Sequence, residues 1–171
     1  IGRGTWQLGA DWGDVSEDDA RAVLAASVDR GVNLFDTADV YGDGRSESLI
    51  GEFLAERHER KVTVATKMGR RVAQEPENYT PEAFRSWVDR SRENLRTDTL
   101  DLVQLHCPPT EVIEDDATYQ ALDALVAEGR MASYGVSVET CAQALAAISH
   151  PRVTNIQIIL NPFRLKPLDE V

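Results

Sequence analysis

Short apolar runs and amphipathic stretches alternate along this chain. Residues 1–8 predict a strand interrupted by glycines, which is typical of a place where a ligand or another backbone segment approaches closely. Five further apolar runs predict strands at 33–36, 62–67, 100–106, 131–138 and 155–160. Between them, apolar residues recur at helical spacing. This alternation predicts an α/β fold with six parallel strands and helices packed outside the sheet.

Polar residues and glycines indicate where the helices begin and end. Ser16, followed by three acidic residues, predicts the N-cap of a first helix that ends at Gly31. Ser46 is expected to cap a second helix, and Pro81 predicts the first turn of a third. Two more helices are predicted at 118–128 and 140–148. The acidic run 111–116, which precedes the first of these two helices, is interpreted as an exposed loop.

Residues that can hold or move a proton recur at a regular interval along the strands. Thr5, Asp36 and Lys67 are spaced by 31 residues, His106 follows 39 later and Ser137 another 31 later. A βα unit takes about 30 residues, so these positions fall at the same ends of neighbouring strands. Tyr41 follows Asp36 by five residues. An acid, a base and orienting groups brought to one rim indicate an active site.

The length of the chain limits the number of domains and the size of the barrel that it can form. At 171 residues the chain suffices for one domain with a sizeable core. A complete (β/α)8 barrel takes about 250 residues, so six units predict an incomplete barrel. No G-x-G-x-x-G motif follows the first strand, which weighs against a Rossmann domain. We expect residues 1–171 to form a single barrel domain that is truncated at both ends.

Charge and cysteine content limit the classes of partner, the metal sites and the cellular location that we expect. The net charge of −11 argues against nucleic acid or an anionic membrane as a partner. No apolar stretch approaches the roughly 20 residues of a membrane span. Cys107 and Cys141 form neither a C-x-x-C pair nor a metal-binding pattern, so no metal site is expected. Two such cysteines are typical of reduced thiols, which predicts a cytoplasmic protein.

Four motifs together resemble the aldo-keto reductase family. Residues 36–42, Asp-Thr-Ala-Asp-Val-Tyr-Gly, are similar to the family's Asp-Thr-Ala-x-x-Tyr-Gly signature. Residues 65–67 resemble its lysine strand, 102–106 its histidine strand and 135–137 its fifth strand. The motifs follow one another in the family's order. The resemblance implies a (β/α)8 barrel that reduces aldehydes or ketones with NADPH.

The resemblance also implies a role for each matching residue. It implies Tyr41 as the general acid, completed by Asp36, Lys67 and His106 as a catalytic tetrad. It implies Ser137 and Gln157 as ligands of the nicotinamide carboxamide, and Thr5 and Trp6 as walls of the cofactor and substrate cleft. The expected cofactor-binding set is therefore Thr5, Trp6, Asp36, Ser137 and Gln157.

Elementary chemistry explains why these residue types suit carbonyl reduction. Hydride delivery builds negative charge on the carbonyl oxygen, so a proton donor must stand within about 3 Å of that oxygen. We expect the Lys67 ammonium to lower the pKa of the Tyr41 phenol, which is near 10 in water. Asp36 would hold Lys67 charged and in place. His106 would donate a hydrogen bond to the carbonyl oxygen.

Each role has a structural alternative. Asp36 and Lys67 can form an ion pair with no catalytic part. His106 can be a core histidine, Trp6 can be a core aromatic, and Asp39 can serve only to shape the loop before Tyr41.

The function likewise has alternatives. The barrel can be a cofactor-binding auxiliary subunit without catalysis, of the kind that partners ion channels, or an inactive fragment of a reductase. The expected substrate is a small carbonyl compound. Trp6, Trp12 and the Asp39–Val40 loop indicate an apolar cleft mouth and do not identify that compound.

Overall fold

Six parallel strands form one sheet in which chain order and spatial order coincide. The computed structural model describes residues 1–9, 13, 15–57 and 62–171. The strands are β1 (Gly2–Gly4), β2 (Leu34–Asp36), β3 (Thr63–Met68), β4 (Leu102–His106), β5 (Tyr134–Val138) and β6 (Val153–Ile158). Every neighbouring pair is parallel, as the alternating pattern predicts.

Helices join the successive strands. They are α1 (Glu17–Asp29), α2 (Arg45–Ala55), α3 (Pro81–Leu95), α4 (Thr110–Glu114), α5 (Asp116–Ala127), α6 (Cys141–Ile148) and α7 (Lys166–Glu170). Two short 3₁₀ turns cover Trp6–Gly9 and Pro76–Asn78. Within the described ranges, no helix combines the length and apolar character needed to cross a bilayer.

The two faces of the sheet differ in character because alternate strand residues point to opposite sides. The face under the helices is apolar and buried, with Phe35, Met68, Val103, Leu105 and Val136 at its centre. Burying each such side chain contributes about 2 kcal/mol to folding. The helices pack on this face and form the hydrophobic core.

The inner face of the sheet is polar and curls upon itself. Gln157 on β6 donates a hydrogen bond to Asp36 on β2, although the two residues are 121 positions apart. Gln104 on β4 likewise donates to Asn155 on β6. These contacts cross the concave side of the sheet. The chain therefore forms a curled half-barrel, a partial (β/α)8 fold, which confirms the predicted fold class.

Local signals identify several helix starts correctly. The Ser16 hydroxyl accepts a hydrogen bond from the backbone of Asp19 at 3.1 Å, as expected for the N-cap of α1. Pro81 occupies the first turn of α3, where its missing N–H leaves no bond unmade. Thr80 caps that helix through its side chain.

Three local predictions are wrong. The first strand ends at Gly4, because the backbone N–H of Leu8 bonds the carbonyl of Thr5 at 2.9 Å and closes a 3₁₀ turn. Ser46 does not cap α2: the helix begins at Arg45 after Gly44, and the Ser46 side chain is buried.

The third error concerns the acidic run 111–116, which is not a loop. It covers residues 111–114 of α4 and the first residue of α5, and its members Val112 and Ile113 are buried. Two apolar residues are enough to anchor a five-residue helix in the core, and the acidic neighbours remain outside.

Candidate active site

A buried ion pair lies where β2 and β3 end. The Lys67 ammonium donates to the Asp36 carboxylate and, at 2.9 Å, to the backbone carbonyl of Thr37. Lys67 is only 3% exposed. Asp36 also accepts the amide of Gln157, so both of its oxygens are engaged. The strand spacing found in the sequence thus brings these two residues into contact.

The loop after β2 carries Tyr41 and is fixed by backbone hydrogen bonds. The N–H groups of Thr37 and Asp39 donate to carbonyls of β3, at 2.8 and 3.0 Å. Gly42 follows Tyr41 with a φ of 59°, and a Cβ there would lie 2.3 Å from the carbonyl oxygen of Gly9. Only glycine permits this conformation and this approach.

An arginine and two hydroxyls hold the base of the same loop. The Arg45 guanidinium donates to the carbonyls of Leu8 and Val15. The buried Ser46 hydroxyl lies 2.9 Å from those of both Thr5 and Thr37. The 3₁₀ turn Trp6–Gly9 and the Tyr41 loop are therefore tied together.

The Tyr41 ring lies among the other predicted site residues. Its centroid is 6.1 Å from that of His106, in an edge-on arrangement, and 6.3 Å from that of Trp6. The Lys67 ammonium lies 5.6 Å from the Tyr41 centroid. Three strand ends and one loop thus place a phenol, an ammonium, a carboxylate and an imidazole side by side.

The electrostatic setting of Tyr41 differs from the expectation. Burial raises the pKa of the Tyr41 hydroxyl to about 12, Asp36 and Cys107 act in the same direction, and Arg70 opposes them. The predicted lowering of this pKa by Lys67 is therefore wrong for this structure. Because Lys67 is paired with Asp36, the pair presents little net charge to the phenol.

His106 is held in its neutral form. Burial lowers the pKa of His106 to about 3, and the charges of Lys67 and Arg70 act in the same direction. The Nδ1 atom of His106 is buried and has no hydrogen-bond partner among the described residues. A neutral imidazole can donate one ring N–H to an oxygen but cannot carry a catalytic proton near pH 7.

The other predicted cofactor residues occupy two places. Ser137 on β5 and Gln157 on β6 lie directly opposite each other in the strand register, next to the Asp36–Lys67 pair. Thr5 is buried, and its hydroxyl donates to the Asp36 carbonyl at 2.9 Å. Thr5 therefore supports the site from beneath, and its predicted contact with cofactor stays a prediction.

A cleft of about 400 Å³ opens beside the phenol, lined by Trp6, Val40, Tyr41, Arg70 and His106. Trp6 is 44% exposed and so forms a wall of this cleft, not part of the core. Trp12 lies outside the described residues. Arg70 was missed by the sequence reasoning. Its position three residues after Lys67, just past the end of β3, is the signal that could have found it.

The Tyr41 loop also carries the carboxyl of Asp39, which feels the charges of Glu47, Arg71 and Arg90. Asp39 is 1% exposed, and neither of its carboxylate oxygens has a hydrogen-bond partner among the described residues. Burial raises the pKa of Asp39 to about 7, Glu47 acts in the same direction, and Arg71 and Arg90 oppose it. Asp39 therefore does more than shape the Tyr41 loop by its backbone, because its carboxyl is a titrating group within that loop.

Comparison with known proteins agrees with this arrangement. The sequence profile of the Aldo/keto reductase family matches residues 1–170. The chain therefore belongs to the aldo-keto reductase family. It is 34% identical over 148 residues to the aldo-keto reductase YhdN of Bacillus subtilis, a match that covers 80% of this chain and 42% of that protein.

Solved structures show the same fold. A glycerol dehydrogenase from Gluconobacter oxydans is 32% identical, with a TM-score of 0.82 over 99% of this chain and 54% of that one. An aldo-keto reductase from Klebsiella pneumoniae, solved in complex with NADPH, is 27% identical, with a TM-score of 0.77 over 94% of this chain and 54% of that one. The chain thus spans about half the length of the relatives it matches.

Proposed function

We propose that the protein to which this chain belongs is an NADPH-dependent reductase of aldehydes or ketones. The observation that carries the proposal is the meeting of Asp36, Tyr41, Lys67 and His106 beside an open cleft. A family member from Klebsiella pneumoniae binds NADPH, which supports the choice of cofactor. We propose Tyr41 as the general acid and the other three residues as its tetrad partners.

The chain offers groups that fit a nicotinamide. A carboxamide needs one hydrogen-bond acceptor and one donor. The Ser137 hydroxyl can serve as either, and the Gln157 amide oxygen accepts no hydrogen bond from a described residue while its nitrogen is bound to Asp36. We propose Ser137 and Gln157 as the carboxamide ligands, with Thr5, Trp6 and Asp36 completing the cofactor-binding set. When bound, NADPH supplies the hydride.

Residues of the chain then orient the carbonyl oxygen and supply its proton. His106, being neutral, donates a ring N–H to the carbonyl oxygen and orients it. Negative charge grows on this oxygen as the carbonyl is reduced, and the Tyr41 hydroxyl gives it a proton. A phenol with a pKa of about 12 is fully protonated near neutrality, yet it is a much stronger acid than the alcohol formed. Proton transfer from Tyr41 to the oxygen is therefore downhill.

The Asp36–Lys67 pair acts on the position of Tyr41. Lys67 is fixed by Asp36 and by the Thr37 carbonyl, and it holds its ammonium 5.6 Å from the Tyr41 ring centroid. In this place it lies beside the Tyr41 ring and helps to fix the phenol next to His106. The pair therefore serves to position the proton donor.

Three further proposals concern the substrate, the location and the domain. We propose a small carbonyl compound as the substrate, because the cleft is about 400 Å³. We propose a cytoplasmic location, supported by Cys107 and Cys141, which are both free thiols. We further propose that residues 1–171 belong to one barrel domain, since the hydrophobic core runs from α1 to β6 without a break.

Replacing the phenol tests the proposal. In the full-length protein, Tyr41→Phe should reduce NADPH-dependent turnover of an aldehyde panel by about a hundredfold or more, because the proton donor is lost. The dissociation constant for NADPH should stay within about threefold. Tyr119→Phe is the matched control, since burial likewise raises the pKa of Tyr119 to about 12 and its hydroxyl donates to the carbonyl of Ile113, away from the cleft.

Two outcomes would count against the proposal. Wild-type turnover in Tyr41→Phe would remove Tyr41 from the chemistry. Tight NADPH binding with no turnover of any aldehyde by the wild type would favour the non-catalytic auxiliary subunit instead.

A further inference from the structure

Arg70 is a cation in the wall of the cleft that holds Tyr41 and His106. It is exposed to solvent and forms no ion pair or hydrogen bond with any residue in the described ranges. Its neighbour Arg71 is engaged by Asp43 at 2.6 Å, as is Arg90 at 3.1 Å. As far as the described residues go, Arg70 is the one of these three cations that is left available to a ligand.

The base of the Arg70 side chain is held in place. It follows Gly69, whose φ of 108° turns the chain at the end of β3. The Gly69 carbonyl accepts hydrogen bonds from the Gln74 amide at 3.0 Å and from the Tyr79 hydroxyl at 3.3 Å. The backbone at this turn is therefore fixed on one side, and the guanidinium extends into the cleft on the other.

The charge of Arg70 reaches the reacting groups. Burial sets the main shift of the pKa of Tyr41 and of His106, and in both cases the Arg70 guanidinium adds a lowering influence. Such an influence requires that the guanidinium stand close to the phenol and the imidazole. The chain as a whole carries a net charge of −11, so a small anion would be repelled by most of its surface. A local positive charge at the cleft reverses that preference there.

We propose that Arg70 selects carbonyl substrates that carry an anionic group, a carboxylate or a phosphate, while Tyr41 and His106 receive the carbonyl oxygen. This inference rests on the proposed reductase function and names its substrate class. The guanidinium presents paired N–H donors that match the two oxygens of a carboxylate or of a phosphate. Trp6 and Val40 would then contact the apolar part of the substrate between the two ends.

Matched pairs of aldehydes test this selection. The ortho, meta and para isomers of carboxybenzaldehyde vary the distance between carbonyl and carboxylate, and each has a methyl ester of similar size without the charge. For the full-length wild type, kcat/KM for at least one acid should exceed that for its ester by about tenfold or more. Added salt should reduce this ratio, because it screens an exposed charge.

Variants of Arg70 connect the preference to the side chain. Arg70→Gln should bring the acid-to-ester ratio to about one. The ratio is the measured quantity because it cancels any effect of the substitution that acids and esters share. Arg70→Lys should retain part of the preference, since a lysine keeps the charge without the paired donors. Arg152→Gln is the matched control, because Arg152 pairs with Asp123 at the other end of the sheet. It should leave the ratio unchanged.

A phosphate arm and a binding arm complete the experiment. Para-formylphenyl phosphate, compared with para-carboxybenzaldehyde, shows which anion fits better. Equilibrium dialysis of para-(hydroxymethyl)benzoate against benzyl alcohol, with NADP present, measures the same preference without turnover. Equal ratios for wild type and Arg70→Gln in both arms would overturn the inference while leaving the reductase function intact. If the wild type turns over none of the aldehydes but binds the carboxylate in preference to the alcohol in a way that depends on Arg70, the reductase function is overturned instead.

Discussion

The buried carboxyl of Asp39 makes the stability of this fold depend on pH in a defined way. Its side chain is 1% exposed and its oxygens have no hydrogen-bond partner in the described part of the chain. The substitution Asp39→Asn keeps the size and shape of the side chain and removes the charge. The variant therefore isolates what it costs to ionise this one group inside the protein.

The magnitude follows from the difference between the folded and unfolded pKa of Asp39. Burial raises the folded pKa to about 7, from an ordinary value of 3.8. The folded state thus binds the proton more tightly, so the free energy of unfolding falls as pH rises from about 4 to about 7 and is level above. The part of this interval between pH 5.5 and pH 7 spans about 1.5 pH units. At about 1.4 kcal/mol per unit, the wild type loses about 2 kcal/mol between pH 5.5 and pH 9.

Urea unfolding at several pH values measures this loss. A range from about pH 5.5 to about pH 9 stays above the sequence pI of about 4.7. The stability of Asp39→Asn minus that of the wild type should grow by about 2 kcal/mol across the range. Subtracting the two proteins cancels the groups that titrate alike in both.

A second aspartate in the same loop provides the control. The hydrogen bond and charge of Arg71 lower the pKa of Asp43, so Asp43 is ionised in both folded and unfolded states throughout the range. The stability of Asp43→Asn relative to wild type should therefore be level from pH 5.5 to pH 9. Parallel curves for Asp39→Asn and the wild type would refute the reasoning, because they would show that Asp39 ionises in the fold as easily as in the unfolded chain.

Three further outcomes are expected. Lys67→Met should lower the free energy of unfolding by about 2 kcal/mol in urea titration, because the half-buried Asp36 carboxylate loses its counter-charge; an unchanged midpoint would contradict this. Gly42→Ala should cost roughly 2 kcal/mol and reduce turnover, whereas Gly31→Ala, which also has a positive φ but meets no atom within 4 Å, should cost less and spare turnover. The kcat/KM of carbonyl reduction should show no inflection near pH 6.5, because the pKa of His106 is about 3; an inflection that disappears in His106→Gln would contradict a neutral imidazole.

The strand-end residues were predictable from sequence for a simple geometric reason. In a parallel sheet, residues at equal distances along successive βα units reach the same rim, so spacing alone brings Asp36, Lys67 and His106 together. Tyr41 follows within one loop of Asp36 and cannot be far away. The family and the half-barrel fold, which rest on the same motifs, are confirmed.

Other features depend on packing that a one-dimensional pattern does not contain. The hydrogen bond between Gln157 and Asp36 requires the sheet to curl, which no local residue choice encodes. The ionisation behaviour of Asp39 depends on its burial and on the charges of Glu47 on α2 and Arg90 on α3. Arg70 resembles an ordinary surface arginine until the turn at Gly69 directs it toward the cleft. The pKa of Tyr41 is set mainly by burial, which sequence spacing does not reveal.

The contact between Gly42 and Gly9, reinforced by Arg45, has a mechanical consequence. The peptide that carries Trp6 and the peptide that carries Tyr41 are pressed backbone to backbone and share one guanidinium anchor at Leu8. Trp6 in the wall of the cleft therefore cannot move outward without displacing Tyr41, the proposed proton donor. In the proposed reduction, a substrate too bulky for the cleft would displace both residues at once, so selection by size and placement of the proton donor would change together.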